Sequence, residues 1–286
     1  MFKIYIYIIL IFIKAVKKNL TDILFDSIVG DNLNLTSIYH YNYSNIKIKH
    51  FSKKSLNKII CIFGVLVNQN GIQIKKEMLK WLSPEYDIYI IYQKYPGELY
   101  EYPALRFSQY LMQTLNKTMV LYLHTKGAFN NHTGQLFVID LWKNEFTYPR
   151  NMIYLQSILT NQTDISVPFR KGKCTWFNGM FISKRAFDSI NEVPIMTDRG
   201  FYEGGIFASP NIKIKGIIND DITPEEIGKE MTQYMNKIRK KDKRNKIIIE
   251  INLILLIIII KISIKMFSKT YLYLKRKNYL SSKRYI

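Results

Sequence analysis

The sequence predicts an α/β domain in which a mostly parallel sheet is flanked by helices. Residues 59–67 form a continuous apolar run, the pattern of a strand that is covered on both faces, and 86–93 and 118–124 are predicted as the second and third strands. The segments between these strands place apolar residues at helical spacing. Because a dozen or so residues connect one strand to the next, the three strands are expected to run parallel.

The first half of the domain is predicted as strand, helix, strand, helix, strand. The helix that follows the first strand is predicted over 72–82 and ends before Pro84. A second helix is predicted over 103–115, with Pro103 in its first turn, where the missing N–H costs nothing. The strand at 118–124 completes the pattern.

The second half is predicted to continue in the same style. A helical segment over 136–159 is interrupted near Pro149, and a strand follows at 164–169. The segment 174–190 has the pattern of a strand and then a helix, and 212–218 that of a short strand. No internal repeat or linker divides this part of the chain.

The net charge of +20 lies mainly at the two ends of the chain. Residues 237–286 hold 15 Lys and Arg against two acidic residues, and residues 1–57 hold eight against three. The remaining 58–236 carry 19 basic and 17 acidic residues, or only +2. A nucleic-acid partner is therefore not predicted, because such binding needs a concentrated basic surface.

The basic ends flank two long apolar runs. Residues 4–13 are ten unbroken apolar residues, which suits the core of a signal peptide; without a typical cleavage site, a short anchor stays open for 1–18. Residues 247–264 have about the length that crosses a hydrocarbon core of roughly 30 Å. We expect a single transmembrane helix there, followed by a basic tail over 265–286.

The regions between these runs complete the predicted organisation. Residues 19–57 are polar, rich in Asn and Tyr and without clear periodicity, which predicts a stem. The α/β domain then occupies 58–222. A basic amphipathic helix over 223–246 is expected to lead into the membrane, with Thr223 as its N-cap.

A signal peptide followed by one span would place the domain outside the cytosol, in the secretory pathway or at the cell surface. Lys and Arg flank both sides of the span, so its orientation stays open. Two cysteines exclude a disulfide framework and a Cys-based metal site. Six N-x-[ST] sequons are compatible with a glycoprotein, at Asn19, Asn34, Asn42, Asn116, Asn131 and Asn161.

The strand at 118–124 runs into the polar sequence HTKG. His124, Thr125 and Lys126 stand at its carboxyl end, where open α/β sheets bind ligands. Lys126 suits phosphate because Gly127 lets the backbone approach closely, and a neighbouring imidazole or hydroxyl adds a hydrogen bond. The competing interpretation is a solvated lysine beside a histidine that a neighbour satisfies. P-loop and dinucleotide-binding glycine patterns are missing.

Several carboxylates are candidates for acid–base chemistry: Glu98, Glu101, Asp140, Glu145, Asp198 and Glu203. Most exposed acids only solvate a surface, and that interpretation is preferred for Glu98 and Glu145. Glu203 lies in a late YEGG segment, where a carboxylate held in a cleft would accept a proton from a hydroxyl. No D-x-D pair stands where a metal–diphosphate site would be expected, so no metal is predicted.

The segment 175–183, TWFNGMFIS, has two interpretations. It is either an ordinary strand with core-facing aromatics, or a segment whose Trp176 and Asn178 line a sugar site.

Four segments, in this order along the chain, resemble a family of glycosyltransferase-like proteins that has protist membrane-anchored members. The segments are LYLHTKG, WKNEFTYPRN, CTWFNGMFISKRAF and RGFYE. That family carries a Y-x-H-[ST]-K-G motif, a following tryptophan–basic pair, an F-x-G motif and a late Arg/Glu segment. The resemblance spans about 58–218. It implies a GT-A-like, Rossmann-like domain that binds a nucleotide-sugar or a glycan.

Carried over residue by residue, the resemblance implies a set of site residues. His124 and Lys126 would meet the donor diphosphate, and Glu203 would be the late acid and general base. Lys143 replaces the family's usual Arg, which weakens bidentate phosphate binding. The remaining implied donor- or substrate-binding residues are Thr125, Gly127, Trp142, Trp176, Asn178 and Gly179.

The resemblance thus implies a membrane-anchored glycosyltransferase that transfers a sugar from a nucleotide-sugar to a glycan or protein acceptor. Without a D-x-D pair, no cofactor is expected, and His124 and Lys126 would stabilise the leaving group. The alternative is a catalytically inactive glycosyltransferase-like surface protein that binds carbohydrate or a partner. The oligomeric state stays open.

Overall fold

A computed structural model describes most of the region predicted as the α/β domain and part of what precedes it. The chain divides into two compact units, residues 1–228 and 229–286, and the sheet lies in the first. The described residues are 20–39, 43–51, 58–94, 101–125, 134–172, 174–175, 179–196, 201–202, 205–207, 211–223, 225–233 and 236.

The centre of the domain is one mixed sheet. Its strands are β1 (Ile46–Phe51), β2 (Ile59–Leu66), β3 (Tyr86–Gln93), β4 (Met119–His124), β5 (Ile165–Lys171), β6 (Cys174–Thr175), β7 (Met180–Ser183) and β8 (Ile214–Asn219). The order is β1-β3-β2-β4-β7-β5-β6, and β8 pairs with β5. The predicted α/β class with a helix-flanked sheet is therefore confirmed.

Strand direction follows from the pairings. Strands β2 and β3, β2 and β4, and β5 and β8 pair in parallel, whereas β7 is antiparallel to both β4 and β5. Hence β2, β3, β4, β5 and β8 all point the same way. Strands β1 and β6 pair antiparallel with their neighbours, so the sheet is mostly, but not wholly, parallel.

Helices cover both faces of the sheet. The helices of the described residues are residues 20–26 (α1), α2 (Gln69–Leu82), α3 (Tyr102–Leu115), α4 (Gly134–Phe146), α5 (Asn151–Leu159), α6 (Lys184–Asp188) and residues 225–233 (α7). Alternate strand residues point to opposite faces. On one face, Ile62 and Tyr122 pack with Leu105 of α3. On the other, Phe181 packs against aromatic rings of α4 and α5.

Several predicted boundaries are confirmed with small shifts. Helix α2 begins three residues earlier than predicted, because the Asn68 side chain accepts a hydrogen bond from the Gly71 N–H at 2.7 Å and caps it. Helix α7 begins with a capping box: Glu226 accepts from the Thr223 N–H, and Thr223 accepts from the Glu226 N–H. Thr223 is therefore the N-cap that the sequence predicted.

Part of the segment predicted as a polar stem is built into the domain. Strand β1 pairs with β3 at the edge of the sheet, with Ile46 and Ile48 buried. Tyr39 is buried as well, and its hydroxyl donates to the Pro103 carbonyl at 2.8 Å. These residues do not form a separate stem, since they bury apolar surface against β3 and α3.

The membrane predictions fall mainly outside the described residues. The segments 1–18, 247–264 and 265–286 are not described, and neither is the later part of 223–246. Within the described ranges, no helix combines the length and the apolar character that a bilayer span needs.

Candidate functional site

The candidate site lies at the carboxyl edge of the sheet, where the direction of winding reverses. From β2 the chain passes to β3 on one side and then returns to β4 on the other side of β2. In open α/β sheets, ligands bind beyond the carboxyl ends of the two strands at such a switch point. In this chain those ends are Leu66 of β2 and His124 of β4.

Thr125 ties the two strand ends together. Its N–H donates to the Gly64 carbonyl at 2.8 Å, and its hydroxyl oxygen accepts from the Leu66 N–H at 3.0 Å. The residue is buried. The Thr125 hydroxyl therefore already accepts a backbone hydrogen bond, and it joins the end of β4 to the end of β2.

The His124 side chain is largely enclosed by other side chains and is 15% exposed. Its Nε2 lies 3.9 Å from an oxygen of the Glu101 carboxylate. The Tyr122 ring stacks beside the imidazole at 6.0 Å, and the Trp142 ring meets it edge-on at 5.8 Å. The imidazole is therefore held by groups from three elements, β4, α4 and the start of α3.

A glycine on the neighbouring strand faces the imidazole. Gly64 is the register partner of His124 across β2 and β4. A Cβ built on Gly64 would lie 3.4 Å from the Cβ atoms of both Ala104 and His124. Position 64 therefore lies directly between the first turn of α3 and the end of β4, and a side chain there would contact both.

Trp142 and Gly179 meet on another side of His124. Trp142 is fully buried, and its Nε1 has no hydrogen-bond acceptor among the described residues. A Cβ on Gly179 would lie only 2.1 Å from that nitrogen. Gly179 directly precedes β7, whose first residue Met180 pairs with Tyr122, so the sheet itself brings Gly179 to this edge.

The structure brings together four of the predicted site residues: His124, Thr125, Trp142 and Gly179. Lys143 is different, because it is exposed on α4 and no described contact joins its side chain to His124. Five other predicted site residues lie outside the described residues: Lys126, Gly127, Trp176, Asn178 and Glu203.

Glu101 is the residue whose place the sequence did not predict. It was only one of six candidate acids, yet it is buried and is the N-cap residue of α3. The signal in the sequence was its position directly before a helix that starts beyond the carboxyl edge of a strand. Tyr202, the residue before Glu203, lies near it: burial raises the Tyr202 pKa, and the Glu101 charge raises it further.

Two other acids have structural partners. The preferred interpretation of Glu145 as a solvated surface acid is wrong, because it is buried and accepts hydrogen bonds from Arg150 Nε at 2.9 Å and the Tyr154 hydroxyl at 2.8 Å. Asp220 receives a bidentate pair from Arg170 at 2.6 and 2.7 Å. These hydrogen bonds hold the pKa of Asp220 below its ordinary value.

Comparisons of the chain with protein-family models, with curated proteins and with solved structures found no match. The chemistry of the site therefore follows from its own groups. In the described part of the chain, no cluster of three or more His, Cys, Asp or Glu side chains is placed to hold a metal ion. The described groups at the edge are an imidazole, a carboxylate beside it and an indole N–H. Such a set can bind an anion through the imidazolium or move a proton between imidazole and carboxylate.

Proposed function

We propose that this chain is a membrane-anchored glycosyltransferase with a GT-A-like domain, which transfers a sugar from a nucleotide-sugar to a glycan or protein acceptor. One observation carries the proposal. His124, Trp142 and Gly179 come from three distant segments and meet at the carboxyl end of β4, beside the switch point. Open α/β sheets hold nucleotides and their phosphates at this position.

The proposed reaction breaks the bond between the sugar's anomeric carbon and the diphosphate oxygen, and that oxygen keeps the electron pair. A new bond forms between the anomeric carbon and an acceptor hydroxyl. His124 and Lys126 stabilise the charge on the departing diphosphate, and Glu203 takes the hydroxyl proton. Lys126 and Glu203 lie outside the described residues and enter the proposal from the sequence.

Side chains, rather than a divalent metal, carry the leaving-group charge in this proposal. The adjacent Asp220 and Asp221 are the acidic pair nearest in character to a metal-binding motif. Asp220 already receives two hydrogen bonds from Arg170 and one from the Gly216 N–H, which supports a structural role for it. His124 is then the described residue at the edge that can supply positive charge.

We propose that the domain lies in the secretory pathway or at the cell surface. This proposal rests on the apolar runs at 4–13 and 247–264 and on the six sequons. In the described part, Asn34, Asn116 and Asn161 are all exposed, as a glycan-bearing asparagine must be. Loss of a mobility shift after glycosidase treatment of the chain from a secretory host would show that a sequon is occupied.

The test of catalysis uses the full chain in detergent and a panel of nucleotide-sugars, with release of nucleoside diphosphate as the signal. We expect release with one donor, and loss of turnover by a factor of about 100 or more in Lys126→Ala. Lys80→Ala is the matched control, since Lys80 is an exposed lysine on α2 that pairs only with Glu77 among the described groups. The control should keep full activity.

The alternative function is binding of carbohydrate or a partner without turnover. It is favoured if nucleotide or glycan binds to the chain while no donor of the panel is turned over. Absence of both binding and turnover, in a chain that is folded by circular dichroism, would overturn the proposed function in either form.

A further inference from the structure

Two of the N-x-[ST] sequons occupy equivalent places in the fold. Asn116 follows α3 and leads into β4, and Asn161 follows α5 and leads into β5. Both asparagines are exposed, and both have a positive φ, 48° for Asn116 and 59° for Asn161. Asparagine tolerates this left-handed conformation, which is common just after a helix. Judged by exposure and backbone conformation alone, the two would be equal acceptors of a glycan.

The third residue of each sequon distinguishes the two sites. Thr118 is exposed, whereas Thr163 is only 2% exposed. The Thr163 N–H also donates to the Ser157 carbonyl at 3.1 Å, which holds this residue against α5. A sequon requires a hydroxyl at its third position, so the enzyme that modifies the asparagine has to reach that hydroxyl. In the folded domain the Thr118 side chain is accessible to such an enzyme and the Thr163 side chain is not.

Arg185 of α6 fastens the second sequon in place. Its guanidinium donates from Nη1 to Asn161 Oδ1, from Nη2 to the Thr163 carbonyl at 2.9 Å and from Nε to Asp164 Oδ1 at 2.8 Å. The other oxygen of this carboxylate accepts from the Lys213 N–H at 2.9 Å. The turn over 161–164 is therefore tied both to α6 and to the residue before β8. It cannot adopt another conformation in an enzyme's active site without losing these bonds.

A third sequon of the described residues is open. Asn34 and Thr36 are both exposed. The Thr36 hydroxyl donates to Asn34 Oδ1, so this hydrogen bond lies within the sequon itself and ties it to no other element. The Asn34 sequon therefore resembles that of Asn116 in the accessibility of its hydroxyl.

We propose that Asn34 and Asn116 are N-glycan acceptor sites of the folded domain, and that Asn161 is closed by Arg185 and by the burial of Thr163. In the reaction, the asparagine amide nitrogen bonds to the anomeric carbon of a lipid-linked sugar diphosphate. The diphosphate leaves with the electron pair of the broken carbon–oxygen bond, and one amide proton passes to a base of the glycosylating enzyme. Modification in the cell rests on the proposed secretory location, but the difference between the sites does not.

A glycan on Asn116 would leave the candidate site open. Asn116 lies just before the amino end of β4, and His124 is the last residue at its carboxyl end. A strand of this length spans about 20 Å at the usual rise of about 3.3 Å per residue. The glycan would therefore start from the edge of the sheet opposite His124.

The first experiment tests the folded chain as an acceptor. The full chain is made in a host without N-glycosylation, purified in detergent and treated with a purified oligosaccharyltransferase and a lipid-linked oligosaccharide. Site occupancy is then measured by mass spectrometry. We expect modification at Asn34 and Asn116, and a rate at Asn161 that is lower by a factor of about ten or more, because local opening to expose a buried hydroxyl costs free energy.

Peptides of residues 112–121 and 157–166 provide the matched reference, because they contain the Asn116 and Asn161 sequons without the fold. Both peptides should be modified, and their rates correct for the different middle residues of the two sequons. Equal corrected rates at Asn116 and Asn161 in the folded chain overturn the inference. So does a folded chain in which neither Asn34 nor Asn116 is modified while the peptides are.

The second experiment tests the role of Arg185. Arg185→Gln should raise the modification of Asn161 several-fold and leave that of Asn116 unchanged. Lys184→Gln is the matched control, since this neighbouring side chain pairs with Asp188 and not with the sequon; it should leave both rates unchanged. A folded Arg185→Gln chain in which Asn161 is modified as slowly as in the wild type overturns the role of Arg185. The first experiment needs no variant and decides the difference between the sites even if Arg185→Gln does not fold.

A secretory host separates this inference from the proposed function. If the added oligosaccharyltransferase gives the expected pattern but the chain from a secretory host carries no glycan, the difference between the sites stands and the proposed secretory location fails.

Discussion

Replacing Gly179 with alanine would test the packing that surrounds His124. The added Cβ would lie 2.1, 2.5 and 2.7 Å from three atoms of the Trp142 indole, far inside van der Waals contact. Trp142 is fully buried and cannot swing into solvent. The structure therefore predicts that alanine at position 179 displaces the indole and, through it, the imidazole.

The expected cost can be worked from these contacts. Overpacking of a filled core costs typically 1–3 kcal/mol, and three contacts with a rigid buried ring place this case near about 3 kcal/mol. The lower entropy of the unfolded alanine chain offsets at most about 1 kcal/mol. The net loss is about 2 kcal/mol, which for a urea m-value of about 2 kcal/mol/M lowers the unfolding midpoint by about 1 M.

The assay is urea unfolding of the full chain in detergent, followed by circular dichroism, with two further variants. Gly228→Ala is the control, because a Cβ on this helical glycine meets nothing within 4 Å; it should gain up to about 1 kcal/mol. In a Trp142→Phe background the indole nitrogen is gone, so the cost of Gly179→Ala should fall by more than about 1 kcal/mol. An equal cost in both backgrounds would refute the reasoning.

Two other predictions concern groups at the same edge of the sheet. Thr125→Val removes the acceptor of the Leu66 N–H and should lower the free energy of unfolding by about 1–3 kcal/mol in urea titrations, whereas Thr125→Ser should keep most of it. The Asp220 pKa is depressed by Arg170, so the stabilisation is complete above the ordinary carboxyl pKa near 3.8 and is lost as the pH falls further. Asp220→Asn should therefore be less stable than the wild type at pH 6, and the difference should shrink as the pH falls below 3.8; a difference that does not shrink in acid would contradict this.

The strands at the centre of the sheet were predictable because their signal is local. Strands β2, β3 and β4 consist mainly of apolar and aromatic residues, and burial on both faces favours that composition wherever the helices lie. The predicted bounds of β3 agree with the structure at both ends. The carboxyl end of β4 as a candidate site followed from the same local pattern.

Strand β1 also has a local sequence signal, although the sequence analysis predicts a stem there. Ile46, Lys47, Ile48 and Lys49 alternate with the period of a strand that is buried on one face. The surrounding Asn-rich composition hid it. Lys47 reaches back to the carbonyls of Phe25 and Ile28, so even the polar face of this strand is anchored to the domain.

The rest of the site depends on contacts that no local pattern contains. The antiparallel direction of β7 depends on the path of the whole chain, and the four-residue sequence MFIS contains no signal for strand direction. The contact between Glu101 and His124 joins the start of α3 to the end of β4, two elements that are 23 residues apart at these positions. Likewise, Gly179 is glycine because of an indole that lies 37 residues earlier in the chain.

The position of β7 has a consequence for folding. In the described sheet, the block of β1 to β4 and the block of β5, β6 and β8 share no direct pairing. Strand β7 pairs with both, with β4 through all four of its residues and with β5 through Phe181 and Ile182. The first block consists of elements close in sequence and is expected to form early. The two blocks become one sheet only when Met180–Ser183 inserts between them, and the same step seats Gly179 against Trp142. The sheet is thus completed in the same step that packs Gly179 and Trp142 beside His124. A growing chain that has not yet reached Ser183 has neither the complete sheet nor this packing.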